Sequence, residues 1–153
     1  MEHVDIDDVE PSVPGGRDVD CRGLTAPLDT DGLALNYYRL SPGDSFSGGL
    51  HTHLDQEEVF VVVEGTATFE TPDEEFAVGP NEAVRFAPGE YQTGRNEGDD
   101  DVVAFALGAP RDSTEIRIPL ECRECGHDAL AALPGDDGMQ YECPECGTPA
   151  DLG

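Results

Sequence analysis

Lysine is absent from all 153 residues; the eight basic residues are arginines, set against 34 acidic ones for a net charge of −26. With neither a basic patch nor a basic amphipathic stretch, the chain is a poor candidate for dedicated nucleic-acid or anionic-membrane binding. Also missing is any run of about 18 consecutive apolar residues, so no membrane-spanning helix is expected. The opening Met1-Glu2-His3-Val4-Asp5 lacks the basic and apolar segments of a secretory signal, and a cytoplasmic location is the expectation. No Ser-His-Asp arrangement, phosphate-binding glycine loop or dinucleotide fingerprint occurs, which leaves those chemistries without a sequence signal. Helical periodicity is almost absent as well.

What remains is a hydrophobic fraction of 37% in a 16.3 kDa chain, enough for one modest domain and a small appendage. Repulsion among the carboxylates opposes compaction in dilute buffer, whereas salt shortens the screening length to about 3 Å at 1 M. The composition resembles that of proteins from salt-in halophiles such as halophilic archaea.

Residues 1–20 are rich in Asp, Glu, Pro and Gly and show neither a helical nor a strand period; a mobile acidic tail is expected there. From Leu33 onward, short β-type runs alternate with turn chemistry: Leu33–Leu40, Leu50–His53, Glu58–Val63, Thr66–Glu70, Phe76–Val78, Ala83–Phe86, Val102–Leu107 and Ile116–Leu120. Glu64-Gly65 and Gly79-Pro80-Asn81-Glu82 read as tight hairpin turns. Many short strands at this spacing point to an all-β barrel or sandwich. In Glu58–Val63, alternation places Glu58, Phe60 and Val62 on one face and Val59, Val61 and Val63 on the other. Both faces are apolar apart from the glutamate, so the outer one needs a cover, and a homodimer is the favoured way to supply it.

His51-Thr52-His53 puts two imidazoles on the same side of an extended strand, and Glu58 at the start of the next strand can face the same point. Two histidines and a carboxylate suit Fe(II), Mn(II), Ni(II) or Zn(II) with coordination positions left open. Glu57, by parity, belongs to the opposite, solvated face. The run His51-x-His53-x4-Glu58-x6-Gly65 resembles the first motif of the cupin superfamily, with Ser45 in place of the leading glycine. The second cupin motif is matched more loosely by Gly79, Pro88, Gly89, Gln92 and Asn96, and Gln92 stands where the family carries its third histidine. The resemblance covers roughly residues 33–110. It implies a double-stranded β-helix (cupin, jelly-roll) barrel, with His51, His53 and Glu58 as ligands of a divalent transition metal.

Gln92 would be either a weaker, neutral ligand or a hydrogen-bonding group for substrate or metal-bound water. Tyr38, Arg39, Arg85 and Tyr91 are candidates for the barrel mouth, with ordinary surface or ion-pair roles as the alternative. Oxygen activation, polarisation of a carbonyl or enediol, and water activation all remain open.

Cys122-x2-Cys125 and Cys143-x2-Cys146 are separated by seventeen residues, and each pair is followed by glycine, Gly126 or Gly147. That spacing fits a four-cysteine structural zinc site, and the segment resembles a zinc ribbon built on a β-hairpin around Pro134-Gly-Asp-Asp-Gly138. Redox-active dithiols are the competing reading. Cys21 reads as a small buried hydrophobe and His127 as a bystander. Arg123 is the only basic residue from Glu121 to Gly153, so the ribbon fits protein contact or barrel support better than phosphate recognition. The expected organisation is a tail (1–20), a barrel (21–118) and a four-cysteine zinc ribbon (119–153). The functional expectation is a metal-binding cupin that acts on or senses a small organic ligand in the barrel. The alternative is a non-enzymatic adaptor or regulator whose ribbon contacts a protein partner.

Overall fold

The computed structural model describes residues 1–12, 17–135 and 138–152, among which there is no α-helix. Thirteen strands follow one another: β1 Asp20–Gly23, β2 Ala34–Leu40, β3 Thr52–His53, β4 Glu57–Glu64, β5 Ala67–Glu70, β6 Glu75–Val78 and β7 Glu82–Phe86, then β8 Thr93–Arg95, β9 Val102–Ala109, β10 Ile116–Ile118, β11 Leu130–Gly135, β12 Gly138–Glu142 and β13 Pro149–Ala150. They form a five-stranded sheet in the order β1-β2-β9-β4-β7, a three-stranded sheet β6-β5-β8, and a second five-stranded sheet β13-β12-β11-β10-β3. No helix of the structure is long and apolar enough to cross a membrane.

The core lies between the first two sheets. Phe60 and Val62 of β4, Phe69 of β5, Phe86 of β7 and Val102, Ala104 and Ala106 of β9 turn inward with Leu40 and Phe46. The phenylalanines interlock, with Phe60–Phe69 centroids 5.0 Å apart and Phe46–Phe60 also 5.0 Å. Such contacts add to the burial energy of large aromatic side chains. Alternation therefore does in β4 what its sequence dictates: Phe60 and Val62 are buried, while Val59 and Val61 lie half-exposed on the outer face.

Two turns differ from expectation. Glu64-Gly65 does not close a hairpin, because β4 pairs with β7 and β9 whereas β5 pairs with β6 and β8. The chain instead leaves one sheet and enters the other at Gly65, which has φ +71° and passes so close to β9 that a Cβ there would stand 2.3 Å from the Asp101 carbonyl oxygen. Gly79–Glu82 is a turn of the same kind: Glu82 N–H donates to the Gly79 carbonyl, but β6 and β7 belong to different sheets. Turn residues specify a change of direction; the opposing layer decides which partner the next strand meets.

Within the segment expected to be a featureless tail, Ile6–Asp8 forms a 3-10 turn capped by the Asp5 carboxylate, and the Arg22 guanidinium donates to the Ile6 carbonyl. Residues 13–16 of that segment lie outside the described residues. At the other end β10, assigned to the barrel from sequence, pairs on one side with β3 (Ile116 opposite His53) and on the other with β11. The cysteine-bearing sheet is thus continuous with the strand that carries His53.

Candidate functional site

His51 is held opposite Gln92 by a reciprocal backbone pair, His51 N–H to the Gln92 carbonyl at 3.1 Å and Gln92 N–H to the His51 carbonyl at 2.9 Å. Parity then aims His53 to the same side as His51, with ring centroids 5.2 Å apart and nearly perpendicular. Glu58, inward-facing on β4, completes the group: its carboxylate lies 3.9 Å from His53 Nε2. One ligand atom from each of the three lies within 4.8 Å of the others.

The hydrogen bonds determine which nitrogens face that point. His51 Nδ1 is 2.9 Å from the Gly49 carbonyl, which only accepts, so Nδ1 carries the proton. His53 Nδ1 is 2.9 Å from Ser113 Oγ, whose own proton goes to the Asp55 carboxylate at 2.7 Å, so His53 Nδ1 is likewise the donor. Both Nε2 atoms are therefore unprotonated, with lone pairs directed toward the shared point. Burial lowers the pKa of both rings, with the neighbouring His51 pushing His53 further, to about 4. Burial has the opposite effect on Glu58, raising it to about 7 against the lowering influence of the Gln92 amide.

Two neutral imidazoles and a carboxylate deprived of water are what a divalent cation would relieve, and the donor set fits one. Gln92 supplies a second sign of fit. Its amide nitrogen donates to Glu58 at 2.8 Å and lies 3.5 Å from His51 Nε2, while its Oε1 is buried without a hydrogen-bond partner. Rotation of the amide by half a turn would present that oxygen to the space between His51 and Glu58.

The remaining sequence candidates divide. Tyr38 is buried in the core, edge-on to Phe46, and burial, Cys21 and Glu58 all raise its hydroxyl pKa. Arg85 is not at the barrel mouth: it sits opposite Val59, on the outer face, and ion-pairs with Glu57. Arg39 is also on that face, beside Tyr37 and Asp101. The Tyr91 hydroxyl pKa is raised by burial and by the Asp128 carboxylate, with Arg117 acting the other way. Three residues escaped the sequence reading: Asp55 and Ser113, described above, and Arg17. The Arg17 guanidinium donates to the Ser45 and Phe46 carbonyls and is close enough to His51 and Tyr38 to lower the pKa of each.

The four cysteines converge independently. Cys122 Sγ is 3.7 Å from Cys146 Sγ, and Cys125 Sγ is 3.5 Å from Cys143 Sγ. A tetrahedral ion with metal–sulfur bonds of about 2.3 Å sets sulfurs roughly 3.8 Å apart, so the quartet fits zinc. The two pairs are built alike. Cys122 N–H donates to the His127 carbonyl and Gly126 N–H to the Cys122 carbonyl; Cys143, Thr148 and Gly147 repeat that pattern. Gly126 and Gly147 adopt φ +76° and +71°, conformations a side chain disfavours. Hydrogen bonding from Thr148 lowers Cys146 to about 6, toward the thiolate. Among the described residues, the buried cluster around the sulfurs adds Leu130 to Cys122 and Cys143, with Ile118 and Ala150 at its edge. So small a core needs a metal to hold it.

A family model described as "Cupin domain" matches residues 36–108. Those residues form a cupin domain. Among solved structures, the polyketide cyclase RemF from Streptomyces resistomycificus is similar at 26% identity and a TM-score of 0.66, over 81% of this chain and 89% of that one. A sugar phosphate isomerase from a cupin superfamily of Silicibacter pomeroyi is similar over 98% of this chain and 97% of its own, at 18% identity and a TM-score of 0.72. A Cupin 2 conserved barrel domain protein from Salinispora arenicola shares 17% identity and a TM-score of 0.59, over 71% and 88% of the two chains. A search of curated proteins returned no match. The cupin domain contains both motifs discussed above, including His51, His53, Glu58 and Gln92, while the cysteine quartet lies beyond it.

Proposed function

We propose that the cupin domain holds one divalent transition metal (Fe, Mn, Ni or Zn) and acts on or senses a small organic ligand at that metal. The C-terminal cysteines hold a structural zinc in a ribbon. The observation that carries this reading is the convergence of three donors within 4.8 Å, with both imidazoles protonated on Nδ1 and so unprotonated on Nε2. Such a metal supplies Lewis acidity or a bound water of lowered pKa. Around it, His51 and His53 give neutral nitrogen donors, Glu58 offsets charge, and the Gln92 carboxamide either adds an oxygen or orients a ligand by hydrogen bonding. The likeness to a polyketide cyclase at 26% identity supports an organic ligand.

Metal analysis of protein kept in concentrated potassium chloride tests this. Two metals per chain are expected, one lost in His51→Ala and the other in Cys122→Ser; one metal, unaffected by His51→Ala, would overturn the barrel site.

A non-enzymatic adaptor role is the second reading. It is favoured by a cleft of about 380 Å³ bordered by Leu120, Arg123, Leu130, Pro149, Ala150 and Leu152, which opens on the ribbon rather than at the histidines. Binding of a protein partner that is abolished by Cys122→Ser but indifferent to His51→Ala would select it.

We also assign the outer face of the barrel to a second copy of the chain. Leu35, Tyr37, Val59, Val61, Phe105 and Leu107 form a half-exposed apolar field on adjacent strands β2, β9 and β4. Three of the eight arginines, Arg22, Arg39 and Arg85, border it with their acidic partners, so two such faces can meet with both signs of charge. Light scattering in high salt should give twice 16.3 kDa; the monomer mass would contradict it. The acid-rich, lysine-free composition fits a cytoplasm of high salt, and loss of folded protein on dialysis into dilute buffer is the matching expectation.

A further inference from the structure

The contact between His53 and Ser113 comes from outside the two cupin motifs. Ser113 belongs to the segment between β9 and β10 that leaves the barrel, 60 positions from His53 along the chain. Asp55, two residues beyond His53, grips this segment. Its carboxylate accepts the Ser113 hydroxyl at 2.7 Å, the Thr114 N–H at 2.8 Å and the Thr114 hydroxyl at 3.2 Å. Leu54 N–H adds a backbone bond to the Glu115 carbonyl at 2.8 Å, and Ile116 then pairs opposite His53 itself.

The direction of each bond follows from chemistry. A carboxylate receiving a backbone N–H and two hydroxyls donates nothing, so the Ser113 proton must point at Asp55. Ser113 Oγ then presents only lone pairs to the imidazole, and His53 Nδ1 must carry a hydrogen. The alternative tautomer, with hydrogen on Nε2, would set two lone pairs against each other across 2.9 Å and block the nitrogen that faces Glu58.

We propose that Asp55 and Ser113 are positioning residues that lock His53 in the Nδ1–H tautomer and fix its ring, keeping Nε2 free for the barrel metal. The inference rests on the metal reading given above. His51 receives its equivalent restraint from a backbone carbonyl, which no substitution removes. The His53 restraint is made of side chains, and Ser113 sits on the segment that leads into β10 and on to the ribbon. Hydrogen-bonded partners of a metal-binding histidine commonly change affinity by about 10–100-fold when removed.

The test uses the full chain in concentrated potassium chloride with the ribbon zinc in place. Two-dimensional nitrogen NMR of the metal-free barrel reads the His53 tautomer directly, and cobalt(II) titration reads affinity. In the parent protein His53 should be predominantly Nδ1–H. Ser113→Ala and Asp55→Asn should mix the tautomers and weaken cobalt binding by about 10-fold or more, and Ser113→Thr, which keeps the hydroxyl, should restore both. An unchanged tautomer in Ser113→Ala would overturn the proposal, as would a loss of affinity that Ser113→Thr does not rescue. If the parent barrel binds no cobalt, the metal reading fails while the tautomer comparison still decides whether the relay exists.

Discussion

Removing the barrel metal should make stability fall with rising pH, through Glu58. In the folded protein this carboxyl is raised by burial to about 7, against an ordinary value of 4.5. Between those limits the folded state retains a proton that the unfolded chain has released, so unfolding is favoured progressively as pH rises. The contribution is complete below pH 4.5 and lost above pH 7. At ~1.4 kcal/mol for each pKa step, the difference amounts to about 3 kcal/mol.

The other carboxylates also repel more strongly as they ionise, so the informative quantity is the difference between the parent and Glu58→Gln, which is neutral throughout. Urea unfolding in potassium chloride with chelator, from about pH 4.5 to 8, should show the parent losing about 3 kcal/mol relative to the variant. Any change in the ribbon is common to both proteins and cancels. Divalent metal should abolish the difference by holding Glu58 ionised. Parallel pH curves for the two metal-free proteins would refute the reasoning, since Glu58 would then be solvated rather than enclosed.

Gly65→Ala forces a side chain into a left-handed conformation and against the Asp101 carbonyl. It should cost at least about 2 kcal/mol and lower the melting temperature by several degrees; an unchanged transition would show that the strand crossing is looser than described. Asn96 is buried, donates to the Leu40 and Asp100 carbonyls at 2.9 and 2.8 Å and accepts from Gly98 N–H. Asn96→Ala leaves these groups unpaired and should destabilise by about 2–4 kcal/mol in chemical denaturation, whereas an effect below about 0.5 kcal/mol would mean that water replaces the amide. Cys143→Ser should release the ribbon zinc and expose the chain beyond Ile118 to protease while the barrel stays resistant. Protection of that segment without zinc would contradict the metal-dependent ribbon.

Much of this architecture was legible in the order of residues. Inward Phe60 and Val62 and outward Val59 and Val61 in β4 follow from simple alternation, and the His51, His53, Glu58 and Gln92 cluster follows from motif spacing because each step is short or lies on paired strands. The cysteine quartet was legible for the same reason, its two half-sites being local repeats. Sheet membership was not. Gly65 and Gly79 announce turns, but a reversal inside one sheet and a passage between two facing sheets use the same residue types. Arg85 was a candidate for the barrel mouth with a surface ion pair as the alternative, and only its register opposite Val59, which turns it outward to Glu57, decides for the ion pair. The Asp55–Ser113 contact joins residues 58 positions apart through a segment without periodic pattern, and only the path of the chain after β9 brings them together.

The most direct measurement is anomalous diffraction from crystals of the metal-loaded protein, grown at high potassium chloride and recorded at the absorption edge of each metal present. The account predicts two separate peaks, one enclosed by the sulfurs of Cys122, Cys125, Cys143 and Cys146 and one bounded by the Nε2 atoms of His51 and His53 and the carboxylate of Glu58. A single peak at the sulfurs, with His51 and His53 still facing each other, would contradict it.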